Sequence, residues 1–327
     1  MSENLATRLA PANEEALHEA AAVLKDGGLV AFPTETVYGL GADATNSTAI
    51  AKLYAAKGRP AFNPLIAHVN DIDAACALAR FDRIAEKLAE EFWPGPLTLV
   101  LPKTEACIVA ELATAGLNTI AVRIPHHPIA RAILTALGKP VAAPSANRSG
   151  HVSPTTARHV LDDLSGAVDL IVDGGAAHVG VESTIVGCLG GDPVLLRPGG
   201  ISRDAIARVL GRPLTEGADM TGEPHKPLAP GMLASHYAPR AVLRLDATSV
   251  NPGEALLAFG HVPAGFQPSS MLNLSERGDV VEAAANLFAH LRALDSGVAA
   301  IAVMPVPNAG LGEAINDRLR RAAAPRM

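Results

Sequence analysis

Through the first two-thirds of the chain, short apolar runs alternate with segments in which apolar residues recur every three or four positions. The runs have the length of buried strands, and the recurring positions form the apolar stripe of an amphipathic helix. The first such helix follows Asn13, carries Leu17 and Leu24 on one stripe, and ends at Gly27. This alternation predicts a layered α/β domain, with a mixed sheet because short turns join some of the strands.

The pattern sets bounds for these elements. Strands are predicted at 29–32, 66–69, 97–101, 119–124, 141–143, 170–172, 183–186 and 194–197, and helices at 14–26, 47–57, 71–80, 82–92, 128–137, 155–164 and 202–210. The stretch between the first strand and the second helix contains Thr34, Thr36, Tyr38, Gly39 and Gly41, and it is predicted to be a hydroxyl-rich turn.

The periodicity is lost between Pro213 and Pro239, where prolines and glycines are dense. Segments of that length without secondary structure are usually disordered or serve as active-site lids, and the His236-Tyr237 pair favours a lid. Strands at 242–245, 255–259, 271–274 and 298–303 and helices at 281–294 and 312–323 then predict a smaller, three-layer α/β domain. The predicted layout is 1–212 for the first domain, 213–240 for the linker and lid, and 241–327 for the second domain.

Composition narrows the class of protein. Apolar residues make up 49% of the 327 positions, which is typical of a compact globular chain, and the net charge of −6 argues against a broad nucleic-acid-binding face. Three scattered cysteines without metal-ligand spacing indicate reduced thiols. A polar N-terminus and the absence of any apolar run near 20 residues indicate a cytoplasmic protein without a membrane span.

Several positions combine charge or hydroxyl groups with a fixed backbone. Lys57 and Arg59 end the second helix around Gly58, so they can grip one polyphosphate, although a helix-ending Lys followed by a solvated Arg would look the same. Arg123 lies inside an apolar strand and needs a partner, either a structural carboxylate or a substrate carboxylate. Taken alone, Ser145-Ala146-Asn147 is more typical of an ordinary turn, and His68 of a core histidine.

The sequence lacks the nucleotide-binding and nucleophile motifs of several other enzyme classes. The sequence contains no GxxxxGK[ST] loop, and both Gly39-Leu40-Gly41 and Gly310-Leu311-Gly312 are weak matches to a dinucleotide site. No Ser-His-Asp or Cys-His arrangement is evident. Many anion-binding groups without a protein nucleophile indicate that the substrate supplies the nucleophile, while the protein supplies positioning and charge stabilisation.

Together these segments resemble the YrdC-like family in its longer, two-domain form. PTETVYGLG, Lys57-Gly58-Arg59, Ser145-Ala146-Asn147, VESTI and LRPG occur in the family's order, from about Val23 to Ile201, and PGM…HYAP follows at 230–239. The resemblance implies a YrdC-like domain, in which helices flank a twisted mixed sheet, followed by a smaller C-terminal Rossmann-like α/β domain. It also implies an enzyme, a nucleotidyltransferase that joins L-threonine, bicarbonate and ATP, releases pyrophosphate and yields threonylcarbamoyl-adenylate for the t6A modification at tRNA position 37.

The resemblance also assigns roles to residues. Threonine would be bound by Thr36, His68, Arg123 and Ser183; ATP by Lys57, Arg59, Asn63, Thr119, Ser145, Asn147, Ser153, Arg197, His236 and Tyr237. Lys57 and Arg59 would carry the catalytic charge stabilisation. Leu233-Ala234-Ser235 departs from the basic or aromatic residues expected there in many relatives.

The implied cofactor is Mg²⁺ arriving with ATP, because no carboxylate cluster suggests a dedicated metal cage. The product would pass to the tRNA threonylcarbamoyl transferase machinery, without a need for stable nucleic-acid binding or a membrane. Two alternatives stay open at this point. One is an RNA-binding module, and the other is carbamoyl-adenylate chemistry with another donor, as in related hydrogenase-maturation domains.

Overall fold

The computed structural model describes residues 6–216, 227–230 and 236–325. In this part of the chain the strands are β1 (Arg8–Pro11), β2 (Val30–Pro33), β3 (Tyr38–Asp43), β4 (Ile66–His68), β5 (Leu97–Pro102), β6 (Thr119–Arg123), β7 (Val141–Ala142), β8 (Leu170–Asp173), β9 (Thr184–Gly187), β10 (Val194–Arg197), β11 (Thr215–Glu216), β12 (Val242–Arg244), β13 (Ala255–Ala258), β14 (Met271–Asn273) and β15 (Ala300–Val303). The helices are α1 (Glu14–Lys25), α2 (Ser47–Lys57), α3 (Ile72–Leu78), α4 (Arg83–Phe92), α5 (Pro128–Leu137), α6 (Ala157–Leu164), α7 (Arg203–Leu210), α8 (Val280–Leu294) and α9 (Gly312–Ala323).

The first domain is built on one large mixed sheet, in the order β1-β8-β2-β3-β7-β4-β6-β5-β9-β10-β11. The strands at its centre are buried on both faces, and helices cover them. The predicted α/β class with a mixed sheet is therefore confirmed. β11 lies inside the segment predicted as a linker and pairs with β10 in parallel, so it extends the sheet past residue 212.

β3 corrects the prediction of a turn between the first strand and the second helix. The segment around Gly39 and Gly41 is a fully buried strand that pairs with β2 in an antiparallel hairpin. Its glycines are explained by crowding, because a Cβ on Gly41 would lie 2.7 Å from a ring carbon of Phe32. A strand with so few side chains has no apolar alternation, and the sequence pattern therefore does not reveal it.

The helices begin where the side chain before them can accept a backbone N–H. Asn46 accepts from Thr48 and Ala49 at the start of α2, and Asp82 accepts from Ile84 and Ala85 at the start of α4. At its other end α2 stops at Gly58, whose φ of 58° is the left-handed conformation that glycine adopts without strain. This stop fixes the direction in which Arg59 leaves the helix.

The second domain has a four-stranded parallel sheet in the order β12-β15-β13-β14. Both α8 and α9 pack on the face that carries Leu243, Leu257 and Ile301, while loop residues cover the opposite face. The prediction of three layers is wrong for this domain in its described residues, because the long connections after β12 and β13 contain no helix and cover that face as loops.

The helical face of the second domain packs directly against the first. Phe288 and Leu319 share one buried cluster with Val37 and Val181 of the first domain. The two domains also approach closely at Gly180, where an added Cβ would lie 2.2 Å from the Ala284 carbonyl oxygen. Among the described residues, no helix combines the length and apolar character needed to cross a bilayer.

Candidate active site

A cleft opens in the first domain beside the large sheet, where several strand ends converge. It is lined from the β2–β3 turn, the exit of α2, the ends of β4, β6, β7 and β10, the start of β9 and the end of the linker. The free space is only about 40 Å³, and the linker residues Pro230, His236 and Tyr237 contribute to the lining. Its lining residues among those described are Thr34, Thr36, Val37, Gly39, Arg59, Ile66, His68, Arg123, Ala143, Pro144, Ser145, Glu182, Ser183, Arg197, Pro230, His236 and Tyr237.

The β2–β3 turn presents two hydroxyl groups to this cleft. Thr34 Oγ1 donates to the Val37 carbonyl oxygen at 2.6 Å and lies 2.8 Å from Thr36 Oγ1. Thr34 also accepts the backbone N–H groups of Thr36 and Val37, so the turn is held by its own side chains. Both hydroxyl groups are buried and therefore fixed in direction.

Arg123 is held at the base of the cleft by a buried carboxylate. Its Nη2 lies 2.6 Å from Glu35 Oε1, and both terminal nitrogens lie 3.1 Å from Thr36 Oγ1. Its Nε donates to the Gly95 carbonyl oxygen at 3.2 Å. Of the two partners that the sequence left open, the structure provides the structural carboxylate.

Two further buried guanidinium groups, Arg59 and Arg197, have no carboxylate within salt-bridge distance among the described residues. Arg59 donates to the carbonyl oxygens of Asn63 and Pro64 at 3.3 and 3.1 Å. Arg197 donates to the Ser183 carbonyl at 2.9 Å and to the Pro230 carbonyl at 3.3 Å. Burial lowers the pKa of both, that of Arg59 to about 10. A guanidinium group stays protonated in proteins at neutral pH, so both are cations. Their positive charge is unusually costly to bury, and an anion in the cleft would compensate it.

Lys57 is buried but does not line this cleft in the described part of the chain. Its Nζ donates to the carbonyl oxygens of Ser145, at 2.5 Å, and of Asn147. Burial and the nearby charge of Arg59 lower its pKa well below the usual value. The contacts therefore give Lys57 one visible task, which is to hold the loop that carries Ser145.

Two buried histidines face the cleft, and each has an Nδ1 without a hydrogen-bond partner within the described chain. Burial and the charge of Arg123 lower the pKa of His68 to about 3. The pKa of His236 is also lowered to about 3, mainly by burial and further by the positive charges of Arg59, Lys57 and Arg318. Both are neutral at physiological pH, so they can exchange hydrogen bonds with a ligand without adding charge.

The second domain reaches this site through Arg318, which is fully buried. Its Nε donates to Glu182 Oε2 at 2.8 Å, and its guanidinium lies 5.1 Å from the centre of the Tyr237 ring. Tyr237 stacks on Phe288 with ring centres 5.6 Å apart, and Ser153 donates to the other oxygen of Glu182 at 2.5 Å. The linker residue Tyr237 is thus held between the two domains.

The structure brings nine of the fourteen predicted site residues to the cleft lining. These nine are Thr36, Arg59, His68, Arg123, Ser145, Ser183, Arg197, His236 and Tyr237. The other five, Lys57, Asn63, Thr119, Asn147 and Ser153, are not among its lining residues. Asn63 and Asn147 are buried, and in the described part of the chain neither Oδ1 has a hydrogen-bond partner. Thr119 opens β6 at the end opposite Arg123. Leu233-Ala234-Ser235 lies outside the described residues.

Sequence reasoning overlooked the two carboxylates that organise the site, Glu35 and Glu182. A signal existed for Glu35, because it lies between two threonines of the turn and the buried Arg123 required an acid. Glu182 gave no comparable signal, because its partner Arg318 comes from another domain.

Both carboxylates are already paired with arginines, which bears on metal binding. Glu35 pairs with Arg123 and accepts the His126 N–H, and Glu182 pairs with Arg318 and Ser153. Across the described ranges no group of three or more His, Cys, Asp or Glu side chains could hold a metal ion.

Comparison with known proteins gives two family matches that together span most of the chain. The Sua5/YciO/YrdC model, described as "Telomere recombination", matches residues 22–199. A second model, described as "Threonylcarbamoyl-AMP synthase, C-terminal domain", matches residues 201–324.

Individual relatives agree over nearly the same length. A threonylcarbamoyl-AMP synthase of Bacillus subtilis is 42% identical across 96% of this chain and 95% of its own. One of Pyrococcus abyssi is 42% identical over 94% of each chain. The crystal structure of P. abyssi Sua5 complexed with L-threonine matches with a TM-score of 0.88 and 39% identity, and it covers 97% of both chains.

Proposed function

The chain belongs to the Sua5/YciO/YrdC family in its two-domain form, and we propose that it joins L-threonine, bicarbonate and ATP to make threonylcarbamoyl-AMP and pyrophosphate. Its synthase activity follows from relatives of that name, which align along nearly the whole chain at 38–42% identity. The roles of individual residues are inferred from the geometry of the cleft. One observation carries this inference most directly: among the described residues, the buried guanidinium groups of Arg59 and Arg197 have no carboxylate partner, while that of Arg123 has one.

Threonine binds at the Arg123 end of the cleft. A guanidinium group has five N–H donors, and the bonds to Glu35, Thr36 and Gly95 leave one N–H of Nη1 for a ligand. The hydroxyl groups of Thr34 and Thr36 and the neutral ring of His68 surround this position. A carboxylate there gains charge-assisted hydrogen bonds without displacing Glu35.

The triphosphate binds at the opposite side, between Arg59 and Arg197. A polyphosphate would compensate the positive charge of these two guanidinium groups. Each guanidinium group can donate several hydrogen bonds to the phosphate oxygens. The hydroxyl of Ser183 lies 3.2 Å from Arg197 Nη2 and can donate to the same ligand. Ser145 and His236 complete the polar lining on this side.

The reaction needs no protein nucleophile. The amine of threonine takes up bicarbonate with loss of water, and an oxygen of the resulting carbamate attacks the α-phosphorus while pyrophosphate leaves. The fixed cations stabilise the charge that develops on the phosphoryl oxygens and on the departing pyrophosphate. His236 and Tyr237 are buried in the lining of the cleft, and in this scheme they keep bulk water from the reactive carbamate.

Mg²⁺ enters this scheme as part of the substrate MgATP. Glu35 and Glu182 are paired with arginines. Oxygens of the triphosphate and water molecules would therefore coordinate the Mg²⁺ ion. The product would be consumed by a tRNA threonylcarbamoyl transferase. All three cysteines are free thiols, which supports a cytoplasmic location.

The test is pyrophosphate release by the full chain, with threonine, bicarbonate and ATP omitted in turn. We expect release only with all three present, together with threonylcarbamoyl-AMP by mass spectrometry. Release without threonine, or with carbamoyl phosphate in its place, would favour the related chemistry with another donor. A salt-sensitive, threonine-independent affinity for tRNA without pyrophosphate release would favour the RNA-binding alternative.

A further inference from the structure

The second domain contains a cleft of its own, at the carboxyl ends of β12 and β15. Four polar residues line it, Asp246, Asn308, Asn316 and Arg320, and its wall is apolar. We call this the C-terminal cleft. Its free volume is about 170 Å³, compared with about 40 Å³ in the active site, and this is room for on the order of ten waters or one small molecule.

The position of this cleft in the sheet favours ligand binding. β12 and β15 are neighbouring parallel strands, with Leu243 opposite Ile301. After β12 the chain passes to the loop-covered face, where Ala247 packs, whereas after β15 it enters α9 on the helical face. Connections that diverge in this way leave a crevice at the carboxyl ends of the strands, and ligands of open α/β sheets bind at such switch points.

The polar groups of the cleft are ordered and partly unused. Asn316 Nδ2 donates to the Val306 carbonyl oxygen at 3.0 Å and to Asn308 Oδ1 at 3.3 Å. Asn316 Oδ1 and Asn308 Nδ2 therefore remain as one acceptor and one donor. Asp246 has a φ of 52°, a left-handed conformation that is sparsely populated outside glycine and is enriched at functional sites.

Two opposite charges face the same space. Asp246 and Arg320 line the C-terminal cleft, and within the described chain neither forms a salt bridge with the other or with a third residue. The lining also includes the apolar side chains of Val306 and Leu319. This arrangement matches a zwitterion with an apolar side chain, whose ammonium group meets Asp246 and whose carboxylate meets Arg320.

We propose that the C-terminal cleft binds a free L-α-amino acid, separately from the active site. A nucleotide fits less well, because no glycine-rich phosphate loop contributes to the lining. Gly312, which begins α9, serves packing instead, since a Cβ there would lie 1.8 Å from the Pro307 carbonyl oxygen.

Met304 lines the C-terminal cleft and provides a probe of it that does not depend on catalysis. Full-length protein labelled with ¹³C at the methionine methyl groups would be titrated with each proteinogenic L-amino acid and with AMP, up to about 10 mM. The Met304 signal would be assigned with Met304→Leu. We expect a saturable shift of this signal with at least one amino acid.

Asp246→Asn and Arg320→Gln should each weaken that binding by about tenfold, because each removes one charge-assisted contact. Arg277→Gln, an exposed arginine of the same domain, should leave the affinity unchanged. The Met271 signal would check that the variants fold. The proposal is overturned if no amino acid shifts Met304, if AMP alone does, or if both cleft variants keep the wild-type affinity. Because pyrophosphate release is not measured, none of these results bears on the synthase activity.

Discussion

Arg123 and Glu35 form a buried ion pair in which Nη2 lies 2.6 Å from Oε1, and the pair fixes the guanidinium at the base of the active site. Arg123 is 3% exposed and Glu35 is 8% exposed. If the arginine moved away, an unpaired carboxylate would remain buried, at a cost of several kcal/mol. Glu35 therefore acts as a positioning residue, and the ligand meets an arginine whose direction is already set.

Arg123→Gln should raise the KM for threonine by at least about tenfold, because the carboxylate of the substrate loses its charged partner. The variant should also lose roughly 3–5 kcal/mol of stability, since Glu35 is left uncompensated. Arg123→Lys retains the charge and covers the case in which the first variant does not fold. Steady-state kinetics with varied threonine measure the effect, and the exposed Arg131→Gln is the control. An unchanged KM for threonine in both Arg123 variants would contradict this role.

Arg59→Gln should lower kcat/KM for ATP by about 100-fold, in the range measured for loss of one preorganised transition-state donor. Its free energy of unfolding should change little, because losing the bonds to the Asn63 and Pro64 carbonyl oxygens is offset by removing a buried cation that has no carboxylate partner among the described residues. Initial rates with varied ATP and urea titration report the two quantities. A parallel fall in activity and stability would indicate a structural role instead, and exposed Arg80→Gln serves as the comparison.

Lys57 is expected to behave differently from Arg59, although the sequence places both in one motif. Lys57→Met leaves the carbonyl oxygens of Ser145 and Asn147 without a donor, and should cost about 1–3 kcal/mol for each that stays buried. Activity should fall as the Ser145 loop shifts, with stability falling in step. If Lys57→Met has wild-type stability but no activity, Lys57 contacts the phosphates directly and the positioning role is wrong.

Much of the fold could be predicted because the sequence carries local signals for it. The helices α2, α5 and α9 match their predicted bounds, since α5 and α9 have a clear apolar stripe and glycines at Gly58 and Gly138 end α2 and α5. β10 also matches. β1 and β3 were not predicted, because a strand at the edge of the sheet and a strand of glycines and small residues lack the alternation that marks a half-buried strand.

The residues of the active site also differ in how far the sequence predicts them. Residues within one motif, such as Thr36 or Ser145, could be assigned to the site through the resemblance of that motif to the family's. Relations that depend on packing could not be assigned, because no local pattern tells a buried Lys57 that holds a loop from one that faces a phosphate. The ion pair between Glu182 and Arg318 joins positions 136 residues apart in two domains, and it depends on docking that the sequence does not encode locally.

Arg318→Met tests whether the second domain supports catalysis through this contact. The substitution removes the salt bridge to Glu182 and the cation above the Tyr237 ring, which should loosen the closure of the cleft mouth. We expect kcat to fall by about tenfold or more and the variant to be destabilised by roughly 3–5 kcal/mol. Glu182→Gln combined with Arg318→Met removes both charges and should recover part of the stability. Exposed Arg277→Gln is the control, and wild-type kcat in Arg318→Met would separate the second domain from catalysis.

The same pair predicts how stability depends on pH. Burial alone would raise the pKa of Glu182, but the charges of Arg318 and Arg197 and the hydrogen bonds from Ser153 and Arg318 lower it to about 2. Because the folded pKa lies below the ordinary value of 4.5, this contribution is complete above about pH 4.5 and is lost as the pH falls towards 2. Between pH 5 and pH 3 the wild type should therefore lose roughly 2 kcal/mol more than Glu182→Gln in urea unfolding. Exposed Glu105→Gln should follow the wild-type curve, and equal slopes for wild type and Glu182→Gln would mean that Glu182 is not held ionised by this pair.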